Sequence, residues 1–474
     1  MHLMHMNVYD VNVIYTRAIT QRSAMSHSLR SKIFTTSVAL LTLVLAQSFA
    51  VSVSADSSET AVGSSNSGLQ ASISAGVDQS CVLLATGTAK CWGSNTRGQL
   101  GDNTVSDKKT PIEVTALSNN VASISTGGDY GDQFTCAVLT NGAAKCWGSN
   151  SYGQIGDNTL IDRKTPVDVN GLSSGVASIA TGVWHACALT TSGAVKCLGW
   201  NSYGAVGDNT DIERHVPTDV VGLGSGVKAI TAGTSHSCAL LASGGVKCWG
   251  WNETGQLGDN TLVSKKTPVD VSGLSSGVTA ITAGTEHTCA LLATGAVKCW
   301  GKDHKGQLGD DSLVDKKTPV DVTGLTSGVA SITAGLFHTC ALLNTGAVKC
   351  WGSNNKGQLG DNTLVDKKTP VDVTGLTSGV TAITAGFDHT CALLNTGAVK
   401  CWGWNSAGQL GDNTLVDKKT PVDVTGLASG VGLTTTTTTT TIATPTTIAA
   451  TSTTVLAATT VPATTTTTST TVVS

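Results

Sequence analysis

The side chains able to do chemistry recur at fixed spacing. Fourteen cysteines fall as seven pairs: Cys81 with Cys91, Cys136 with Cys146, Cys187 with Cys197, Cys238 with Cys248, Cys289 with Cys299, Cys340 with Cys350, and Cys391 with Cys401. Two thiols at this spacing could close a disulfide or contribute to a metal site. Zinc sites usually place their cysteines closer together and need further ligands converging on the ion. A disulfide needs only that the partners face each other across a hairpin, with Cα atoms about 4.5–5.5 Å apart. If Cys289 opposes Cys299, the register centres on Thr294 and sets Leu291 against Val297. One disulfide per pair is the expected reading. Each closes a loop of about 11 residues, worth at most about 2–3 kcal/mol in the chain-entropy account.

His185, His236, His287, His338 and His389 each stand two residues before the first cysteine of a pair, with Gln79 and Phe134 in or near that place earlier in the chain. Five imidazoles could suggest a metal ring. A histidine repeated at one place is better read as bonding a neighbouring backbone carbonyl. The loop Gly-Asp-Asn-Thr-Leu-Val-Asp-Lys-Lys, residues 360–368 in one copy, is rich in oxygen ligands. Calcium would need six to eight of them converging, and the lysines oppose that, so loop capping and Asp–Lys pairing are expected. No Ser/His/Asp set stands apart from its own copies, whereas a catalytic site needs a few residues in distinct roles. No Gly-x4-Gly-Lys-Ser/Thr phosphate loop is present. No enzyme, cofactor or metal is therefore expected.

These residues are carried by a repeat. From the second pair onward the first cysteine recurs every 51 residues; the first interval is 55, because the second repeat carries an insertion around residues 129–133. Such a period points to a propeller or related array. In the copy at 277–327 the expected strands are 278–283, 287–292, 296–300 and 319–323, with a Pro opening the last. Ala293-Thr294-Gly295 makes a hairpin turn between the second and third strands. The first two strands are apolar on both alternations, as expected for strands buried between stacked blades. The fold expected is all-β: a seven-bladed β-propeller with about four short antiparallel strands per blade. Whether a repeat forms one blade, or the last strand completes the first blade, stays open.

The run His-x-Cys-Ala-Leu-Leu-x-x-Gly-x-Val-Lys-Cys-Trp-Gly at 287–301, followed by Gly-Gln-Leu-Gly-Asp at 306–310, has close copies in most other repeats. It resembles the repeat of the regulator of chromosome condensation family, over about residues 70–430. The resemblance implies a seven-bladed propeller. The family's nuclear member is an exchange factor for a small GTPase and binds chromatin, roles an exported chain would not meet. A secreted relative with similar repeats covers the active site of β-lactamases. That is analogy, since fold does not fix function.

Export is expected from the N-terminus. Arg30 and Lys32 precede an apolar stretch at 33–46, too short for a comfortable membrane span, and Val53-Ser54-Ala55 fits a cleavage site. Residues 1–55 read as the export region, with Met25 a candidate start and cleavage after Ala55. Residues 56–69 read as a linker, 70–432 as the propeller, and 433–474 as a Thr-rich extended tail. The expected setting is the cell exterior or surface, which suits disulfides. The net charge of −3 gives no reason to expect nucleic acid or an anionic membrane. A monomer without a membrane span in the mature chain is expected.

Function is sought where near-identical copies differ. Two places vary most: the loop before the first cysteine, joining the first and second strands, and the loop after Trp-Gly, joining the third and fourth. Strand direction alternates, so both lie on one face. Trp92, Trp147, Trp249, Trp300, Trp351 and Trp402 hold the Trp-Gly position and read as core. The other propeller aromatics fall in the variable loops: Tyr130, Phe134, Tyr152, Trp184, Trp200, Tyr203, Trp251, Phe337, Phe387 and Trp404. An exposed cluster of aromatics suggests an interface; the competing reading packs several of them beneath the loops. A protein partner on this face is the leading expectation, a glycan the alternative, and an enzyme at the axial funnel the third. The third repeat departs from the pattern at Leu198, Gly204-Ala205-Val206 and Arg214-His215-Val216. That blade reads as either looser or facing a partner.

Overall fold

A computed structural model describes residues 71–427. The expected export region, linker and tail lie outside the described residues. The 28 strands form seven four-stranded antiparallel sheets, each drawn from one repeat in sequence order. Blades 1 to 7 span residues 72–113, 121–168, 176–219, 227–270, 278–321, 329–372 and 380–423.

Blade 5 shows why the sequence folds this way. Its strands are Val278–Ala283, His287–Leu292, Val297–Gly301 and Lys316–Asp321. The turn places Gly295 at φ 78°, a conformation costly for a residue with a Cβ. Cys289 faces Cys299 and Leu291 faces Val297, and the disulfide spans a Cα–Cα distance of 4.1 Å.

The other six blades carry the same bridge between their second and third strands. Cys81 is bonded to Cys91, Cys136 to Cys146, and Cys187 to Cys197. Cys238 is bonded to Cys248, Cys340 to Cys350, and Cys391 to Cys401. Every one of these pairs has its Cα atoms 4.1 Å apart, closer than the 4.5–5.5 Å expected for opposed residues. All fourteen cysteines are buried, so each bridge lies inside its blade, away from solvent. The disulfides therefore hold the hairpins and take no part in the exposed loops.

The fourth strand starts at Lys316, three residues before the Pro expected to open it. Cys299 pairs with Val320 but Gly301 with Lys316, so the outer strand carries extra residues there. The bulge accommodates Pro319, which has no N–H to give to the ladder. The first strand also differs from expectation. The second strand is buried almost throughout, whereas the first is half-buried along most of its length, because it lines the axial opening.

Blades are joined by a repeated polar contact. Trp351 donates its indole N–H to the Gln307 carbonyl of blade 5 at 2.9 Å, and Thr339 donates its hydroxyl to the same oxygen at 2.8 Å. That hydroxyl accepts from His287 Nε2 at 2.9 Å. Because the Thr339 proton goes to the carbonyl, the imidazole must carry its proton on Nε2. All five repeated histidines bond a Ser or Thr hydroxyl of the next blade in this way. The shared partner is a side chain on a neighbouring blade; the backbone contact expected is felt only by His338, from Phe387, and by His389, from Val77. Gly284 is required beside this contact, since a Cβ there would overlap the His287 ring and the Gly335 carbonyl.

The same contacts close the ring. Trp92 and Ser80 of blade 1 both bond the Gln409 carbonyl of blade 7 at 2.9 Å. Asn413 N–H reaches the Lys109 carbonyl at 3.0 Å, matching Asn362 to Lys419 between blades 6 and 7. Each repeat is therefore one blade, and no strand of the last repeat completes the first.

The joint between blades 2 and 3 is built differently. Phe134 stands in the histidine place, Ala186 in the hydroxyl place and Leu198 in the Trp place, and all three pack in one apolar cluster. The irregular third repeat is thus matched by a change in the second. Removing both partners of a buried hydrogen bond is nearly neutral, whereas removing one is costly. Phe134→His should accordingly lose about 1–3 kcal/mol by burying an imidazole N–H against Ala186. Adding Ala186→Ser should recover at least about 1 kcal/mol of that loss. Urea unfolding of the oxidised single and double variants checks this; strictly additive losses would refute a His–hydroxyl coupling at this joint.

Candidate functional site

The two variable loops do meet on one face. Trp200 N–H bonds the Trp184 carbonyl at 2.9 Å, and Lys302 pairs with Glu286 at 2.8 Å. Each contact joins a loop between the first and second strands to one between the third and fourth. Below these loops, a repeated frame holds them rigid. In blade 6, Asn354 accepts from Leu359 N–H at 3.0 Å and donates to Asp361 at 2.9 Å, and Asp361 accepts from Thr363. Asn362 adopts φ 63° in this turn. The Asp-rich loop is thus capped by its own neighbours, with Lys367 near Asp361 at 3.5 Å.

The aromatics fall into separate groups. Tyr152, Trp184, Trp200, Tyr203 and Trp251 form a continuous arc across blades 2 to 4, with successive ring centroids 6.1, 5.1, 5.4 and 6.0 Å apart. All five are half-buried. Tyr130 makes a second group with Phe387 and Trp404, at 5.6 and 5.5 Å. Lys356 Nζ lies 5.4 Å from the Trp404 ring. In a third group, Phe337 meets His304 at 4.5 Å and Lys302 at 5.6 Å. Phe134 does not belong to the face: it is fully buried between strands, because it fills the histidine place described above.

The insertion of blade 2 ties these groups together. Tyr130 is 54% exposed, yet its hydroxyl donates to Asp388 of blade 7 at 3.1 Å. Asp129 accepts from the Trp184 indole at 3.1 Å, and Arg97 Nε donates to the Gly131 carbonyl at 3.0 Å. Asp78 and Asp388, in equivalent places on blades 1 and 7, are buried and receive the Gln409 and Gln358 amides. These carboxylates and the lysines on aromatic rings escaped sequence reasoning, which looked only for aromatics. The variability of the positions beside the cysteines was the available signal.

A cavity of about 80 Å³ on the axis is lined by the ends of the first strands and the residues just after them, such as Ala283, Gly284, Thr285, Val183 and Phe387. No ionisable side chain lines it. Among the described residues, no three His, Cys, Asp or Glu side chains converge as metal ligands would, and no helix is long and apolar enough to cross a membrane. Seven disulfides are the chemistry of an oxidising compartment.

Comparison with known proteins finds a matching family model and relatives over most of the chain. A family model described as an RCC1-like domain matches residues 53–328 and, overlapping, 175–461. The chain is similar to the ultraviolet-B receptor UVR8 of Arabidopsis thaliana, 30% identical over 75% of this chain and 82% of the receptor. It is similar to the secretion-regulating guanine nucleotide exchange factor of Bos taurus, 29% identical over 72% of this chain and 79% of that protein. The human E3 ubiquitin-protein ligase HERC2 matches at 30% identity over 65% of this chain but only 7% of its own length. Among solved structures, human WBSCR16 gives a TM-score of 0.61 at 26% identity over 69% of this chain and 86% of that one. Yeast RCC1 (Prp20), solved with Kap60, gives 0.62 at 21% identity over 74% and 84%, a likeness of fold alone.

The buried histidines make the ring sensitive to acid. Burial pushes His185 and His338 down to about 4, and His236, His287 and His389 down to about 3. Unfolded histidine takes a proton near pH 6.5, so below that pH the unfolded chain binds protons the folded ring refuses. Burial raises Asp78 and Asp303 to about 7 and raises Asp388 as well; these three oppose the trend. Five groups against three leave the histidines dominant, and stability should fall as pH drops from about 6.5 toward 4.5. In His338→Gln, which borrows the glutamine of blade 1, unfolding free energy against pH should flatten by about 1.4 kcal/mol per pH unit. An unchanged slope in chemical unfolding across that range would remove the imidazole as the proton acceptor.

Proposed function

The chain belongs to the RCC1-like propeller family, and from that premise we propose that it is a non-catalytic binding protein of the cell exterior or surface. Its partner is a protein, bound on the face that carries the variable loops. The observation behind this reading is the arc from Tyr152 to Trp251. Half-buried aromatics that support one another keep their shape at low entropic cost and are the usual anchors of protein interfaces. Among structures of similar fold, yeast RCC1 (Prp20) was solved bound to Kap60.

The arc suits protein better than sugar. Its rings pack edge-to-face or tilted, at interplanar angles of 57°, 72°, 72° and 37°, so they present no row of parallel platforms for successive sugar rings. An axial enzyme fares worse, because the cavity has no acid or base in its walls. Exposure to the exterior is supported by the seven disulfides and by the apolar stretch at 33–46.

A pull-down from culture supernatant and cell-envelope extract tests the reading. A variant with Trp184, Trp200 and Trp251 all changed to Ala runs beside the unaltered chain. A second variant, with Lys302 and Lys305 changed to Ala, serves as the control on the same face. A protein captured by the unaltered chain and the lysine variant, and at least about tenfold less by the tryptophan variant, is expected. Equal capture by all three would remove the arc as the site. Capture of no protein would turn the search to glycans.

A further inference from the structure

The face is divided by charge as well as by its rings. In blades 2 to 4 the variable loops (128–134, 149–152, 183–184, 200–203, 234–235 and 251–254) contain Asp129, Asp132 and Glu253 and no Lys or Arg. In blades 5 and 6 the equivalent loops carry Lys302, Lys305 and Lys356 with Glu286 and the buried Asp303; Lys302 pairs with Glu286, Lys305 with Asp366 and Lys356 with Asp417. The arc of five rings lies wholly in the acidic half. Burial and then the fields of Asp132, Asp129 and Glu213 push the Tyr152 phenol up. Asp132 is ion-paired to Arg97 of blade 1 at 3.3 Å, which leaves Asp129 and Glu213 as the carboxylates without a Lys or Arg partner at that end of the arc. Glu253, next to Trp251 at the other end, is exposed.

We infer that the partner presents a cationic peptide segment, rich in Arg or Lys, to the aromatic arc between Tyr152 and Trp251. This deepens the binding-face reading and rests on it. The physical case is that ring faces attract guanidinium and ammonium groups, and carboxylates flanking the rings add complementary charge that speeds encounter and fixes register. Arg suits this site better than Lys, because its flat cation stacks on a ring while its N–H groups reach carboxylates at the edge. Over blades 5 and 6 the carboxylates beside the loops are already paired with Lys302, Lys305 and Lys356, so such a segment finds its free acceptors over blades 2 to 4. Where lysines do lie on rings, at Trp404 and Phe337, the protein already fills those sites with its own cations.

The test uses the oxidised full chain and fluorescein-labelled Gly/Ser decapeptides carrying three Arg, three citrulline or three Glu, followed by fluorescence anisotropy at fixed salt. The Arg peptide should bind, the citrulline peptide at least tenfold more weakly, and the Glu peptide not at all. Trp184→Ala with Trp200→Ala should weaken the Arg peptide at least tenfold, and Glu213→Gln with Glu253→Gln several-fold. Neither glutamate is buried, so that variant is not expected to disturb folding, and an unchanged thermal midpoint would verify this for both variants. Equal binding of the citrulline peptide, preference for the Glu peptide, or no binding of the Arg peptide at millimolar concentration would each overturn the inference. If a protein is nevertheless captured through the tryptophans, the binding-face reading survives and only the cationic segment is lost.

Discussion

One backbone oxygen in six of the seven blades, Ala205 in blade 3 and a Gln in the other five, ties that blade to the next; blade 2 uses the apolar joint instead. The carbonyl of the Gln in Gly-Gln-Leu-Gly receives an indole N–H and a hydroxyl from the next blade, at 2.9 and 2.8 Å for Gln307. It is buried, so both contacts are formed away from water, where an unmade hydrogen bond is expensive. The repeated Trp, the Ser or Thr before the cysteine, the histidine that donates to it and the glycine that makes room for the imidazole all serve this one acceptor. The disulfide pins the hairpin that carries two of them, as Cys340 and Cys350 do for Thr339 and Trp351.

Because that set of contacts carries the ring, the loops above it are free to differ. They are not loose for being free: the Asn-Asp-Thr frame beneath them repeats in blade after blade. The result is a rigid seven-fold base with an uneven top. Aromatics without cations gather over blades 2 to 4, and cations resting on rings gather over blades 5 to 7. The insertion at Tyr130 reaches across blade 1 to Asp388 and ties the two ends of the array together on that face.

Much of this was legible from spacing alone. A three-residue turn with cysteines facing across it follows from period-two alternation, and Cys289 opposite Cys299 is what forms. The shared face followed from alternating strand direction. What the sequence hid were contacts between repeats, since a repeat read by itself says nothing about its neighbour. His287 thus looked like a group for a carbonyl, while its partner is Thr339, 52 residues away. Phe134 counted as a surface aromatic because it sits next to the insertion, when it occupies a core place. Pro319 misled as a strand opener because a bulge on an edge strand tolerates it equally well.

The apolar joint between blades 2 and 3 has a consequence for how the chain finds its order. Near-identical repeats invite mispairing, since any blade could dock against several others with the same contacts. Phe134 offers no donor for a Ser or Thr, and Leu198 with Ala186 offers nothing to a histidine. Those two surfaces fit each other and leave buried groups unpaired against any other blade. The joint acts as a key cut for a single lock: it registers the whole array, so that a ring of lookalike units assembles with each one in its own seat.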